Sequence, residues 1–304
     1  MQKKVILITG PTAVGKTALA IEIARQFQTE IISADSRQCY SELNIGVARP
    51  TKEELAKVPH HFIASHRIED TITAAYFEQF ALGITDDIFR RKDVLVMAGG
   101  TGLYVKAFTE GLDEIPAVDP GLRNRMVAGY EMKGIEWLQG EIKRMDPEYA
   151  SRGSMQNPQR MLRALEVMIG TGHSILSFQL KNKKQRPFSL IHIRLDLPRA
   201  ELYTRINNRV DQMIQMGLSK EVESLYSFRH FNALQTVGYK ELFDYMEGNC
   251  NLDEAVESIK RNTRHFAKRQ CTWFAHQLPS EVFHPEDLQK ISEYIHSEFT
   301  SDRH

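Results

Sequence analysis

Cysteine, net charge and long apolar runs are all scarce in this sequence. Its 304 residues include three cysteines, Cys39, Cys250 and Cys271, which form no C-x-x-C pair, so neither a zinc site nor a disulfide framework is expected. The 39 basic and 39 acidic side chains balance, which argues against a nonspecific nucleic-acid coat but not against a local basic surface. No apolar run reaches membrane-spanning length, and the first predicted strand leaves no space before it for a signal peptide. We therefore expect a cytoplasmic protein with no membrane partner.

A phosphate-binding motif follows the first apolar segment. Residues 5–8 predict a buried strand, and an apolar-periodic helix is predicted from residue 17 onward. Between them, the motif G-x-x-x-x-G-K-[ST] is formed by Gly10, Pro11, Thr12, Ala13, Val14, Gly15, Lys16 and Thr17. Its backbone N–H groups and its lysine are suited to hold phosphates, and the Thr17 hydroxyl is suited to coordinate Mg²⁺. The motif predicts a phosphorylated ligand without identifying it.

Two further predicted strands end in polar or glycine-rich segments. The strand at 30–33 runs into Asp35, which is placed either to reach the ligand of the loop or to cap a helical turn. The strand at 93–98 ends at Gly99, Gly100 and Thr101, where nucleotide hydrolases and kinases often carry an acidic residue for Mg²⁺. The glycine at this point argues that the ligand is not an ordinary triphosphate.

The order of predicted elements indicates an α/β fold, with a P-loop NTPase-like parallel sheet flanked by helices and a smaller all-helical insert. Two prolines and a loss of periodicity at 111–120 mark the domain boundary. We assign residues 1–112 and 186–304 to the core and residues 113–185 to the insert. Within the insert, a helix is predicted to begin at Asn157-Pro158, with Gln159, Arg160 and Arg163 lying off its apolar stripe.

Two other groups of residues have competing interpretations. The adjacent His60 and His61 point apart on either a strand or a helix, which favours structural roles over a metal site. A basic cluster at 261–269 lies close in sequence to Phe266, Trp273 and Phe274, a combination that suits RNA phosphates and unpaired bases. Taken alone, that segment is better explained as an amphipathic helix with a basic solvent face.

Several stretches together resemble the tRNA dimethylallyltransferases, the enzymes that add an isopentenyl group to adenosine beside the anticodon. The most specific stretches are ADSRQ at 34–38, GGTGLY at 99–104 and KRQCTWF at 268–274. They occur in the family order with GVARP at 46–50, PHHFI at 59–63, NPQRMLRALEV at 157–167 and QTVGYKEL at 235–242. Eukaryotic relatives commonly carry a C-terminal zinc-finger extension that this chain does not have, so the bacterial form is expected.

The resemblance implies that a dimethylallyl group passes from dimethylallyl diphosphate to N6 of adenosine-37 in tRNA, with release of diphosphate. It places residues 10–17 around the donor diphosphate with Mg²⁺ at Thr17, and it places Arg209 facing the diphosphate. The residues that it implies for contact with tRNA are Asp35, Ser36, Arg37, Gln38, Thr101, Arg123, Gln159, Arg160, Met161, Leu162 and Arg163.

The chemistry then assigns catalytic roles to four of these side chains. Lys16 and Arg209 stabilise the diphosphate as it leaves, Asp35 accepts the proton of N6, and Thr101 seats either the base or the donor. The target adenine is expected to be extruded into a channel through the core, while the insert grips the anticodon stem-loop. We expect the protein to act as a monomer.

Two alternatives to prenyl transfer use the same loop differently. A small-molecule or nucleoside kinase would use the later arginines as a lid, but Gly99, Gly100 and the motifs outside the loop argue against it. A non-catalytic RNA-binding protein would keep the loop for structure alone, and the intact Lys16, Thr17 and Asp35 argue against that.

Overall fold

The computed structural model of the protein describes residues 2–180 and 182–301, and it contains a six-stranded parallel sheet in the order β3-β2-β4-β1-β5-β6. The strands are β1 (Lys4–Thr9), β2 (Ile31–Ser33), β3 (His60–His61), β4 (Val94–Gly99), β5 (Ser189–Leu195) and β6 (Glu281–Phe283). The predicted α/β fold is confirmed. The edge strand β6 is absent from the sequence-based predictions because its three residues form no apolar run of strand length.

Strand β1 lies near the middle of the sheet and is buried on both faces. Lys4 is in register with Val94 of β4 on one side and with Ser189 of β5 on the other. Val5 and Leu7 pack into the apolar core on one face of the sheet, and Ile6 and Ile8 pack into the core on the opposite face. The segment that follows Thr9 therefore starts at the carboxyl edge of the sheet, beside the ends of β4 and β5.

Helices surround the sheet in a core unit formed by residues 1–109 and 185–304. Those that lie in this unit, apart from the last residue of α4, are α1 (Lys16–Gln26), α2 (Lys52–Leu55), α3 (Ala74–Phe89), α4 (Gly102–Glu110), α8 (Arg199–Gln215), α9 (Leu218–Ser224), α10 (Tyr239–Met246), α11 (Leu252–Gln277) and α12 (Leu288–Ser301). Short 3₁₀ turns occur at Tyr226–Phe228 and Asn232–Leu234. Within residues 2–180 and 182–301, every helix is too short or too polar to cross a lipid bilayer.

The second unit, residues 110–184, is the helical insert. It contains α5 (Pro120–Met145), α6 (Pro147–Arg152), α7 (Pro158–Thr171) and a 3₁₀ turn at Ile175–Phe178. Helix α5 breaks at Gly134, where the backbone leaves the helical region with φ 77°. Helix α7 starts as expected, since the Asn157 side chain accepts a hydrogen bond from the backbone N–H of Arg160. The unit boundaries lie near the predicted ones at 112/113 and 185/186.

Candidate active site

The phosphate loop folds closely against the end of β5. Gly10 has φ 145°, and a Cβ built on it would lie 2.5 Å from the carbonyl oxygen of Leu195, so no other residue fits without displacing that strand. Gly15 adopts a left-handed conformation immediately before α1 begins at Lys16. The loop therefore leads directly into a helix N-terminus, where unpaired N–H groups and the helix dipole favour an anion.

Lys16 is held at the loop by the chain's own carbonyls. Its Nζ donates hydrogen bonds to the carbonyl oxygens of Gly10 at 3.0 Å and Pro11 at 2.7 Å. Burial lowers the pKa of Lys16 to about 8, the nearby Asp35 carboxylate opposes that shift, and the Arg209 guanidinium adds to it. An ammonium group whose charge is disfavoured by its surroundings gains strongly from an anionic ligand.

The loop opens into a cavity of about 410 Å³, here called the loop cavity. Its polar lining includes Lys16, Thr17, Ser33, Asp35, Arg205 and Arg209, and its apolar lining includes Ala13, Ile31, Val47, Ala48, Pro50, Ile63 and Phe266. One cavity thus combines a cationic phosphate site with an apolar wall, which suits a ligand that has a charged head and a short hydrocarbon tail.

A second cavity of about 700 Å³ adjoins the loop cavity. It is lined by residues of the 36–37 turn, by Thr101, and by side chains of α10 and α11, including Glu241, His265 and Arg269. The residues that line both cavities are Thr12, Asp35, Val47, Ala48, Arg209, Phe266 and Gln270. Two ligands can therefore approach each other across this shared wall.

Asp35 caps a turn and also lies on the wall between the two cavities. Its Oδ1 accepts hydrogen bonds from the backbone N–H groups of Arg37 at 2.8 Å and Gln38 at 3.2 Å, so the carboxylate caps a turn. The same residue lines both cavities. Among the described residues, Oδ2 makes no hydrogen bond, so one oxygen orients the side chain and the other remains available to a ligand.

Thr101 and Gln38 support the cavity walls through their side chains. Thr101 Oγ1 accepts a hydrogen bond from the backbone N–H of Ser36 at 3.0 Å, which fixes the end of β4 to the turn that carries Asp35. Gln38 Nε2 donates to the carbonyl oxygens of Val47 at 3.2 Å and Ala48 at 3.0 Å. The amide of Gln38 thus holds the shared wall in place. The sequence predicts only contact with tRNA for Gln38 and does not predict this structural role.

Arg209 contributes a second positive charge to the shared wall. It lies on α8, and no ion pair to it is formed by the residues that the structure describes. Burial lowers its pKa, and the carboxylates of Asp35 and Glu54 oppose that shift. Its neighbour Arg205, by contrast, is paired with Glu201 at 2.8 Å. The predicted diphosphate-facing arginine is therefore the one whose charge is left to a ligand.

Gln270 is the residue at this site that sequence reasoning misses. Its side chain is buried, its Oε1 accepts the backbone N–H of Thr12 at 2.9 Å, and its Nε2 donates to the carbonyl oxygen of Gly100 at 2.9 Å. It belongs to the KRQCTWF stretch, which the sequence marks as specific without indicating what the glutamine contacts. Its partners become visible only when α11 is packed against the sheet edge.

Three of the polar residues predicted in the insert meet around one buried carboxylate. Glu166, with 1% of its surface exposed, accepts from Arg123 at 2.7 Å and from Arg163 at 3.1 Å, and Arg123 also donates to Gln159 at 3.2 Å. Arg160 is exposed on the same helix. Arg123 and Arg163 are thereby fixed on the insert surface with part of each side chain exposed.

The side chains of Met161 and Leu162, two residues for which contact with tRNA is predicted, lie inside the insert. Their exposed fractions are 0% and 1%, and both pack in the apolar core of the insert with Leu138, Ile142 and Tyr149. They face inward because they lie on the apolar stripe of α7, between the polar positions that face solvent.

The structure also shows the surroundings of the adjacent histidines and of the basic cluster at 261–269. His61 Nε2 lies 2.7 Å from Glu30 Oε2, and His60 Nδ1 lies 2.9 Å from the carbonyl oxygen of Val58, so both rings have protein partners. On α11, Lys268 and Arg269 are exposed, whereas Phe274 is fully buried. The basic cluster thus forms one face of an amphipathic helix, and part of that face borders the second cavity.

Known proteins are similar to this chain over nearly its whole length. The IPP transferase family model matches residues 38–277. A tRNA dimethylallyltransferase of Cytophaga hutchinsonii is 45% identical over 295 residues, which cover 97% of each chain. A tRNA dimethylallyltransferase 1 of Bacteroides thetaiotaomicron is 45% identical over 95% of this chain and 94% of its own.

Solved structures agree with these sequence similarities. The tRNA isopentenylpyrophosphate transferase of Bacillus halodurans superimposes with a TM-score of 0.72 at 34% identity and covers 100% of both chains. A eukaryotic dimethylallyltransferase acting on tRNA gives a TM-score of 0.80 at 25% identity, over 99% of this chain and 80% of that one. These similarities support the prenyl-transfer hypothesis over the kinase alternative.

Proposed function

This chain belongs to the IPP transferase family, and we propose that it transfers a dimethylallyl group from dimethylallyl diphosphate to N6 of adenosine-37 in tRNA. The observation that carries this proposal is the wall shared by the two cavities, on which Asp35 and Arg209 both lie. The donor occupies the loop cavity, with its diphosphate at Lys16 and its five-carbon tail on the apolar wall. The adenine occupies the second cavity, so that N6 faces the allylic carbon.

The first catalytic task is to stabilise the leaving diphosphate. The bond between the allylic carbon and oxygen breaks, and the electron pair leaves with the diphosphate, whose growing charge is met by the loop N–H groups, Lys16 and Arg209. Donors that are fixed in advance for such a charge contribute about 10²–10³ in rate each.

The residues at the loop also fit a Mg²⁺ ion carried by the diphosphate. The hydroxyl of Thr17 and the side-chain oxygens of Ser33 and Asp35 line the loop cavity, and oxygen donors of this kind suit Mg²⁺. Thr17 is the residue we assign to hold the ion. When bound, Mg²⁺ neutralises part of the charge on the diphosphate.

The second catalytic task is to activate a weak nucleophile. The lone pair of N6 is delocalised into the purine ring, so the new N–C bond forms as N6 loses its proton. Asp35 accepts this proton through Oδ2, while Oδ1 stays bonded to the backbone of the 36–38 turn and keeps the carboxylate aligned. A positioned general base contributes about 10²–10⁴ in rate.

Recognition of tRNA uses one surface in the core unit and one in the insert. In the core, the adenine leaves its stack to enter the second cavity, and Ser36 and Arg37 of the adjoining turn meet neighbouring bases. In the insert, Arg123, Arg160 and Arg163 provide guanidinium groups for the phosphates of the anticodon stem-loop. The proposal also includes that the enzyme works in the cytoplasm and as a monomer.

The test of this proposal is the variant Asp35→Asn, because the amide oxygen can still accept the N–H groups of Arg37 and Gln38. We expect kcat for transfer from labelled dimethylallyl diphosphate to an anticodon stem-loop to fall about 10²–10⁴-fold. The dissociation constant for the RNA should stay within about twofold of its original value, since the turn is preserved.

The control is Asp93→Asn, which removes an exposed carboxylate at the opposite edge of the sheet. An equal loss of RNA binding in Asp35→Asn would make Asp35 a docking residue and not a base. If the unmodified protein released phosphate from ATP and transferred no dimethylallyl group to RNA, the kinase hypothesis would be favoured instead.

A further inference from the structure

We infer that Gln270 is a positioning residue that fixes the distance between the donor site and the acceptor site. The inference rests on the proposed function and deepens it. The buried side chain spans two segments that are far apart in sequence: its Oε1 accepts the Thr12 N–H of the phosphate loop, and its Nε2 donates to the Gly100 carbonyl after β4, each at 2.9 Å. One amide group therefore connects the diphosphate cradle to the neighbouring strand end.

The connection continues from Gly100 to the general base. The next residue, Thr101, donates its backbone N–H to the Ala34 carbonyl at 3.1 Å, and its Oγ1 accepts the Ser36 N–H at 3.0 Å. These two contacts flank Asp35 on both sides. A shift of the Gly100 segment would consequently move the carboxylate relative to the phosphate loop.

The glycine at position 100 is explained by the same contact. A Cβ built on Gly100 would lie 2.4 Å from Gln270 Nε2, so a side chain here would displace the amide. The amide thus lies beside the strand end where nucleotide hydrolases and kinases often hold a carboxylate. The neutral amide of Gln270 donates one hydrogen bond and accepts another. It therefore fixes the phosphate loop to the end of β4 without adding negative charge beside the diphosphate.

A purely structural role would stabilise the fold without affecting the chemistry in a specific way. Against that reading, Gln270 lines both cavities, on the wall that Asp35 and Arg209 share. Misplacement of reacting groups by about 1 Å can cost about 10² in rate, so the loss of one of these hydrogen bonds should appear in kcat.

The experiment that separates these roles is the variant Gln270→Glu, measured as a pH profile. An ionised glutamate can still accept the Thr12 N–H, but it cannot donate to the Gly100 carbonyl and repels it. A protonated glutamic acid can do both and so imitates the glutamine. Above the pKa of the new carboxyl, we expect kcat to be lower by about 30- to 100-fold. The ratio of variant to original kcat should then rise as the pH falls through that pKa.

Charged side chains that line the two cavities also influence the pH profile. Lys16, Asp35 and Arg209 line the loop cavity, and His265, Arg269 and Glu241 line the second cavity. The same groups are present in the original protein, so the ratio of the two profiles isolates the change at position 270. The variant Gln270→Met, which cannot form either hydrogen bond, should lose a similar factor at every pH.

Gln215→Glu places the same charge at an exposed position near the end of α8 and should leave kcat unchanged. A Gln270→Glu variant with kcat within threefold of the original, or with a loss that is the same at every pH, would overturn the inference. Transfer by the original protein would then still stand. Absence of transfer by the original protein would refute the proposed function itself, before any variant is compared.

Discussion

In the core, Lys16 donates to backbone carbonyls and burial lowers its pKa to about 8, whereas in the insert Arg123 and Arg163 each bond to an oxygen of buried Glu166. Among residues 2–180 and 182–301, no carboxylate is bonded to the cation at the phosphate loop, whereas the two cations on the insert share one. An anion arriving at the loop supplies what Lys16 lacks, so the gain is large. At the insert, the same charge is already partly neutralised, and the glutamate chiefly fixes the orientation of the guanidinium groups.

The strongest test of this contrast is Lys16→Met, which removes the charge and keeps the length of the side chain. We expect kcat to fall by about 10²–10³-fold, because the leaving diphosphate loses a fixed donor. Steady-state transfer to an anticodon stem-loop measures this change, with the exposed Lys220→Met as the control. If Lys16→Met retained full kcat, the charge of Lys16 would contribute nothing to the reaction, and the contrast between the phosphate loop and the insert would be refuted.

A smaller effect is expected from pH alone. Because the pKa of Lys16 lies near 8 and an anion favours its protonated form, Lys16 should give diphosphate binding no pH dependence well below pH 8, where the side chain is fully charged. Above that value, affinity should weaken by up to about tenfold per pH unit. Titration calorimetry in buffers of different ionisation enthalpy should detect proton uptake on binding near pH 8.5.

The variant Lys16→Arg is the comparison for this pH effect, since a guanidinium stays charged throughout the range. The affinity of Lys16→Arg for inorganic diphosphate should change with pH only as the diphosphate itself gains or loses protons. Identical pH profiles for the two proteins would mean that Lys16 is not the titrating group.

The smallest effect is expected at the insert. Arg123→Gln should raise the KM for tRNA by about fivefold and leave kcat unchanged, because one phosphate contact is lost while the residues that line both cavities stay the same. The dependence of binding on salt should become shallower by about one counterion. Arg152→Gln, which removes an exposed arginine of the same insert, is the matched control.

Thermal unfolding must accompany this measurement, since the variant leaves Glu166 with Arg163 as its remaining arginine partner. A fall in kcat equal to the rise in KM would contradict the contrast between the two regions. It would mean that the arginine cluster of the insert influences the reacting groups directly.

The sequence predicts the parts of this protein in which neighbouring residues determine the structure. The phosphate loop, β1 and α1 follow one another within 23 residues of chain, Lys4–Thr9 through Lys16–Gln26, and each carries its own local signal. The strand ends at Asp35 and Gly99 could likewise be placed at one edge of the sheet, because parallel strands share a direction.

The remainder depends on contacts that a local pattern does not record. Gln270 meets Thr12 and Gly100 only because α11 packs at the sheet edge. The sequence offers capping as one of two roles for Asp35, and only its hydrogen bonds to the 36–38 turn show that the cap is formed. Met161 and Leu162 show the opposite limit, since a motif that includes them does not say which of its members face inward.

The close fit of Gly10 against Leu195 and of Thr12 against Gln270 has a consequence for how the protein is made. The phosphate loop is synthesised first, but its supports belong to β5 and to a helix near the other end of the chain. Contacts between such distant segments form slowly, because a long stretch of polymer must be ordered to bring them together. We expect a nascent chain to acquire a working anion site only after the segment that carries Gln270 has left the ribosome, so this early motif matures long after it is made.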